Sequence, residues 1–298
     1  MSMRIMTEAC GSLVAGQMIK AIQEAGHTAV GSDIDTFNAG YCLADGFITV
    51  PRYDMPNLWE ATEQALIENN IDIVLPSFDE TLHGWALRKE HFAQKGIHVI
   101  ISPAETIAIF QDKWETYKFF ENHNIPCPAT ALDQKYPLVK PRQGRGSEGV
   151  RCPETSIPMD GLISQEIATG EEYTIDALFD REGQLIYCVP RKRLGVQKGK
   201  STRGIVLRND GIVRYVKKIS QKARFIGPVN LQCFIEGDSI SFIEINPRIA
   251  GGMALGFAAT ENWITPMINN LVHRKAIIPR TVQYGMKMAR YYAECFIP

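Results

Sequence analysis

The 298-residue sequence contains no CxxC pair, no HExxH motif and no uninterrupted apolar run of 18 residues. Its seven cysteines, at positions 10, 42, 127, 152, 188, 233 and 295, are odd in number and widely spread. That distribution argues for a reducing compartment and against a disulfide or zinc framework. All six histidines lie between 27 and 123 or at 273, so histidine triads and zinc catalysis are disfavoured in the C-terminal part. The lack of a long apolar run argues against a transmembrane helix. Charges at Arg4 and Glu8 leave no room for the apolar core of a signal peptide. The chain reads as cytoplasmic, with no membrane partner.

What is present is the composition of an ordinary globular protein, 45% apolar and 22% charged. At roughly 100–200 residues per domain, the length suggests two or three domains. A net charge of −1 conceals two unlike parts: residues 1–102 hold 6 Lys/Arg and 13 Asp/Glu, whereas residues 103–298 hold 26 and 20. The first part is acidic and the second basic.

Patterning changes at the same place. In residues 1–102, short apolar strands at Arg4–Thr7, His27–Gly31, Gly46–Val50, Asp72–Leu75 and Ile97–Ile101 alternate with helical stretches at Ser12–Glu24, Trp59–Glu68 and Thr81–Gln94. Such alternation implies α/β, a doubly wound parallel sheet. Beyond it, one helix is expected over Ala104–Asn124. Strands follow at Pro137–Lys140, Leu162–Ile167, Glu172–Phe179 and Leu185–Arg193, then a helix at Ile212–Arg224 and strands at Val229–Ile235 and Ser239–Ile245. Residues 103–298 are therefore expected to be α+β. Gly11–Gly16 lies where a dinucleotide fingerprint would begin, but Leu13 stands where GxGxxG requires glycine. A tight strand-to-helix turn is the favoured reading.

Three segments carry chemistry. In Val139–Val150, Lys140 precedes a loop containing Gly144, Gly146 and Gly149. Glycines let backbone N–H groups approach phosphate oxygens, and the lysine supplies a point charge at the loop's root; a plain surface hairpin is the alternative. In Gln165–Asp176, two-residue alternation puts Glu172, Thr174 and Asp176 on one strand face, which solvent exposure would also explain. In Phe242–Arg248, Glu244 and Asn246 alternate with Ile243 and Ile245, and Arg248 follows the strand end. Oxygen donors of this kind suit Mg²⁺. With a three-residue hairpin loop at Gly237–Ser239, Gln232 falls opposite Glu244 and can share the cation. A polar outer strand face is the alternative there.

Between Arg191 and Arg224 lie twelve Lys/Arg and a single acid, Asp210. Arg191, Arg193, Lys198, Lys200 and Arg203 read as a mobile basic strand and loop, candidates for polyphosphate or an acidic substrate. Arg214, Lys217, Lys218, Lys222 and Arg224 have helical spacing and read as a solvated face. No aromatic residue interleaves with the loop charges, which disfavours nucleic acid as a partner.

Taken in order, a helix lysine (Lys113), Lys140 before the glycine loop, QE-x-x-x-G-x-E-Y-T-x-D, Asn230-x-Gln232 and Glu244-x-Asn246-Pro247-Arg248 resemble the ATP-grasp superfamily. Within it they look most like single-unit relatives of the carbamoyl-phosphate synthase large subunit. The resemblance covers nearly the whole chain. It implies a Rossmann-like pre-ATP-grasp domain over residues 1–102, then an ATP-grasp domain of two α+β lobes over residues 103–298. It also implies ATP and Mg²⁺, with Mn²⁺ as an alternative cation.

By the same resemblance, Lys113 would reach the α-phosphate, and Lys140 the α- and β-phosphates beneath a loop that includes Gly144, Gly146 and Ser147. Glu166 and Ile167 would meet the adenine edge and Glu172 the ribose. Gln232, Glu244 and Asn246 would hold metal. Arg248 would stabilise the transferred phosphoryl group, with Arg191 and Arg193 near the acidic substrate or the acyl phosphate. The implied reaction joins a small-molecule carboxylate to an amine through an acyl phosphate. A kinase, a carboxyphosphate-forming enzyme and a non-catalytic nucleotide-binding protein are the alternatives, and a homo-oligomer is compatible. Asp79, Glu80 and Ser12 are candidates for substrate contacts or for plain helix capping. Two departures stand out. Pro153 and Pro158 suggest that the usual helix of the small lobe is trimmed, and the sequence ends about 50 residues after Arg248, so a second synthetase unit is not expected.

Overall fold

Five short strands, β1 (Arg4–Thr7), β2 (Thr28–Asp33), β3 (Gly46–Thr49), β4 (Ile73–Leu75) and β5 (His98–Val99), form a parallel sheet in the order β3-β2-β1-β4-β5. The computed structural model describes residues 2–12, 15–197, 200–291 and 293–297; Leu13 and Lys198, named above, lie outside the described residues. Helices α1 (Ala15–Glu24), α2 (Ala39–Leu43), α3 (Leu58–Glu68) and α4 (Leu82–Gln94) connect the strands. Ile5, Ala29, Val30, Ile73 and Val74 are fully buried, as parallel strands covered on both faces require.

The strand order reverses between β1 and β4, which opens a crevice at their carboxyl ends. Glu8, just past β1, spans it. Its carboxylate accepts from Ser77 N (3.1 Å), Thr81 Oγ1 (2.9 Å) and Trp85 Nε1 (2.7 Å), fixing the loop after β4. Across the first turn, Gly11 N–H donates to Asp33 Oδ2 at 2.7 Å. The turn's amide therefore has an internal partner, in keeping with the tight-turn reading.

The single helix expected over Ala104–Asn124 is two, α5 (Ala104–Gln111) and α6 (Lys113–Asn122). The break is at Asp112, whose extended backbone ends one helix while its side chain caps the next, accepting from Trp114 N (2.8 Å) and Glu115 N (3.4 Å). Arg142 grips the same carboxylate with two nitrogens, Nη2 at 2.6 Å from Oδ2. Burial opposes ionisation of Asp112, but Arg142 and the two amides outweigh it and hold its pKa below the ordinary value.

A small antiparallel sheet follows, β6 (Thr130–Ala131), β7 (Leu138–Pro141) and β8 (Leu162–Gln165), in the order β6-β8-β7. Residues 151–161 contain no helix, as their prolines suggested. The large sheet is antiparallel, in the order β13-β12-β9-β10-β11-β14, and is built from β9 (Glu171–Phe179), β10 (Leu185–Gln197), β11 (Lys200–Val206), β12 (Gly227–Glu236), β13 (Ser239–Asn246) and β14 (Lys287–Ala289). In the basic segment expected as a mobile strand and loop, the described residues are paired in β10 and β11, with Arg191 opposite Val206 and Arg193 opposite Gly204. Between β11 and β12, α7 (Asp210–Ser220) buries Ile212, Val216 and Ile219 and leaves Arg214 and Lys217 exposed. Lys222 and Arg224 just beyond it are exposed too, so these charges form the solvated face that was expected. Two short helices, α8 (Ala254–Ala259) and α9 (Ile264–Met267), lie between β13 and β14.

One apolar cluster contains both Ile19, Ile22 and Ile73 from the parallel sheet's layers and Leu178, Tyr187 and Trp263 from the large sheet and α9's approach. Asn262 Nδ2 also donates to Ala21 O at 2.7 Å. The parallel sheet therefore packs on the large sheet through a shared core.

Candidate active site

Every residue assigned above to the site, from Lys113 to Arg248, lines a single cavity of about 800 Å³. Residues from the crevice of the parallel sheet, among them Glu8, Ser12, Phe78 and Asp79, line it too. A second, open hollow of about 1020 Å³ beside Trp59, Arg88 and His91 holds none of the motif residues.

One end of the cavity is built by β7 and α6. Lys140, 7% exposed, donates to Gln165 Oε1 at 2.7 Å. Burial lowers its pKa to about 8; Glu244 opposes that shift and Lys113 adds to it. Lys113, the first residue of α6, donates to Gly144 O at 2.9 Å. Its own N–H donates to Arg142 O at 2.9 Å, which ties the start of α6 to the start of the glycine loop. That loop needs left-handed backbone at Gly144 (φ 125°), and an added Cβ at Gly149 (φ 71°) would lie 2.9 Å from Pro141 Cγ. Arg145 at the loop tip pairs with Glu80 and sits 4.4 Å above the Phe78 ring. The loop is thereby docked on the parallel sheet's crevice, which a plain surface hairpin would not be.

At the opposite wall, the strand end after β8 carries Glu166 and Ile167. Glu166 N donates to Ala129 O (3.0 Å) and Ala129 N to Glu166 Oε2 (3.2 Å), while Ile167 is 56% exposed at the cavity rim. Glu172, early in β9, takes a hydrogen bond from Arg193 Nη1. The face it shares with Thr174 and Asp176 is not a solvent face, because Thr174 and Asp176 are buried. Asp176 accepts Arg191 in a two-point pair, Nε to Oδ2 at 2.6 Å and Nη2 to Oδ1 at 2.8 Å. Asn230 Nδ2 completes the network, donating to Asp176 Oδ1 (3.0 Å) and Thr174 Oγ1 (2.8 Å). Arg191 lines the cavity with its charge already matched.

Gln232 stands opposite Glu244, and Asn230 opposite Asn246. The pairing expected from the sequence holds, by a different device. The hairpin turn is Gly237-Asp238, since Glu236 pairs with Ser239, and that two-residue turn alone would misalign the strands by one. A bulge at Ile243 restores the register. Among the described residues no group of three His, Cys, Asp or Glu stands ready for a metal. The set here is one carboxylate and two amide oxygens, Glu244, Gln232 and Asn246. Such a set fits Mg²⁺ when phosphate oxygens and water complete its shell.

Arg248, just past β13, reaches back to the parallel sheet: Nε lies 2.7 Å from Asp79 Oδ1 and Nη2 2.6 Å from Asp79 Oδ2. Burial works against its charge, but Asp79 outweighs burial and raises its pKa. Asp79 and Glu80, candidates for substrate contact in the sequence, thus hold Arg248 and Arg145. Sequence reasoning did not find Arg145, the Asp176–Arg191 pair or Arg290, which also lines the cavity. Only the basic composition around them pointed that way.

A small antiparallel sheet and a large one, both lining a single oxygen- and cation-rich cavity behind a β3-β2-β1-β4-β5 parallel sheet, define the ATP-grasp class. The comparisons with known proteins agree. A family model described as ATP-grasp in the biosynthetic pathway with Ter operon matches residues 159–293, and one described as PylC-like, N-terminal domain, matches residues 9–100. The carbamoyl phosphate synthase arginine-specific large chain of Bacillus subtilis (strain 168) is 24% identical over 269 residues, covering 77% of this chain and 25% of that protein. The chain spans between 20% and 25% of the length of the curated relatives it matches. The L-amino acid ligase of Bacillus licheniformis superposes with a TM-score of 0.71 at 15% identity, over 91% of this chain and 74% of that one. The biotin carboxylase domain of the Hydrogenobacter thermophilus 2-oxoglutarate carboxylase, solved with MgADP, ADP and bicarbonate, gives 0.74 at 15% identity, over 96% and 74%. The chain has the fold of ATP-grasp proteins, and its sequence resembles the carbamoyl phosphate synthase large chain. Among the described residues, no helix is long and apolar enough to cross a membrane.

Proposed function

We propose that this protein is an ATP- and Mg²⁺-dependent carboxylate–amine ligase that forms an amide through an acyl phosphate. The observation that carries the reading is the convergence of five sequence-distant motifs on one cavity, with cations, oxygen donors and an arginine in the roles that phosphoryl transfer needs. Lys113 and Lys140 would bind the α- and β-phosphates, Glu166 and Ile167 the adenine edge, and Glu172, oriented by Arg193, the ribose. Gln232, Glu244 and Asn246 would hold Mg²⁺, which when bound neutralises phosphate charge.

In the reaction, a carboxylate oxygen attacks the γ-phosphorus and ADP leaves. The amine then attacks the acyl carbon, orthophosphate leaves, and the amine proton goes to solvent or to the departing phosphate. Arg248, immobilised by Asp79, would stabilise charge on the transferred group, a role that needs preorganisation more than mobility. Arg191, held by Asp176, whose carboxylate also accepts from Asn230, shapes the far wall. Relatives named as ligases and carboxylases support this chemistry in general terms. Hydroxylamine in place of the amine provides the test: a screen of amino acids and simple carboxylates is expected to yield ADP and a hydroxamate. ADP formation without hydroxamate under every carboxylate would overturn the ligase reading.

A further inference from the structure

Five arginines line the cavity, and four carry a carboxylate: Arg145 on Glu80, Arg191 on Asp176, Arg193 on Glu172 and Arg248 on Asp79. Arg290 is the exception. Among the described residues its bonds go to main-chain carbonyls alone, Nε to Ser201 O at 3.0 Å and Nη2 to Gly251 O. Its own N–H donates to Thr202 O at 2.9 Å, extending the pairing of β14 and pinning the residue. Nη1 is left with uncommitted donors.

The surroundings sharpen the point. On the next residue along the chain from Gly251, an added Cβ at Gly252 would lie 2.5 Å from Arg191 Nη2. Two guanidinium groups therefore flank one bare stretch of backbone just beyond Arg248. Burial and the charge of Arg191 both push the Arg290 pKa down, yet guanidinium stays protonated at any ordinary pH. A half-buried cation without a counterion is costly, and an anion arriving in the cavity relieves it. In the proposed reading the nucleotide phosphates are matched by Lys113, Lys140 and the glycine loop, which leaves Arg290 for another anion.

We propose that Arg290 binds the carboxylate group of the carboxylate substrate, seating it on the Gly251–Gly252 side of the cavity. The proposal rests on the ligase reading for the identity of the anion. A planar fork suits a carboxylate better than a point charge does. Arg290 is then a specificity residue, and Arg191 beside it, being already paired, sets shape more than charge.

The full chain is compared with R290Q and R290K. For the carboxylate giving the fastest ADP release, R290Q is expected to raise KM at least tenfold, with the Kd for MgADP within threefold of wild type and R290K in between. An unchanged KM, or a tenfold loss of MgADP affinity instead, overturns the assignment. Succinate serves as an independent probe, read as the rise in Tm of the MgADP-saturated protein. If no carboxylate stimulates ADP release, yet succinate stabilises wild type and not R290Q, the ligase reading fails while the anion site at Arg290 stands. If succinate then stabilises neither protein or both equally, the Arg290 assignment falls. Comparable ligand-free Tm values for the three proteins establish that folding is intact.

Discussion

In the proposed role at the nucleotide phosphates, Lys140 should set the pH dependence of nucleotide binding. Its pKa in the free protein is about 8, against about 10.4 for an ordinary lysine, so its charged form is penalised by folding. That penalty is full below pH 8 and is released as pH rises from about 8 toward 10.4. Phosphate oxygens favour the charged form, so ADP affinity should be highest below pH 8 and fall as the lysine deprotonates. A titration from pH 7 to 9.5 is expected to show that fall in wild type and a flat profile in K140R; a flat wild-type profile would contradict the role. Arg248 should behave differently, because its proposed role is on the transferred charge. R248A should lower kcat by about 10²–10³-fold while leaving the Kd for ADP within threefold, and an equal loss in both would mean ordinary ground-state binding.

At the scale of elements, the central strands β9, β10 and β12 share one buried polar network. Asp176 and Arg191 are both within 1% of complete burial, so D176N leaves an unmatched guanidinium inside the sheet. That should cost about 3–5 kcal/mol in urea unfolding; a loss below about 1 kcal/mol would show that Arg191 is hydrated or re-paired. The same elements show what the sequence could reveal. Period-two alternation located β9, β12 and β13, and apolar runs located the parallel strands, because those signals are local. The break at Asp112 was hidden, since a capping aspartate inside a helical pattern looks like any polar position until Arg142 is seen gripping it. The Gln232–Glu244 pairing was anticipated from a three-residue turn, whereas a two-residue turn and the bulge at Ile243 produce it. Two shifts of one residue cancel, which no periodicity argument distinguishes.

For the molecule as a whole, the opposite charges of the two parts are a contact and not only a composition. Asp79 and Glu80, on the acidic side, pair with Arg248 and Arg145 on the basic side, across 169 and 65 positions of sequence. Pairs so distant leave no trace in spacing, so the sequence showed the charge difference and the structure shows where it is used. The shared apolar cluster around Trp263 and Ile19 holds the crevice of the parallel sheet against the cavity, and residues of both line it. The central claim is that a carboxylate takes the γ-phosphoryl group before the amine arrives. A carboxylate labelled with oxygen-18 tests it most directly, by mass analysis of the orthophosphate released. The acyl-phosphate route predicts one label atom transferred to each phosphate in the presence of amine; ADP released with unlabelled phosphate would contradict it.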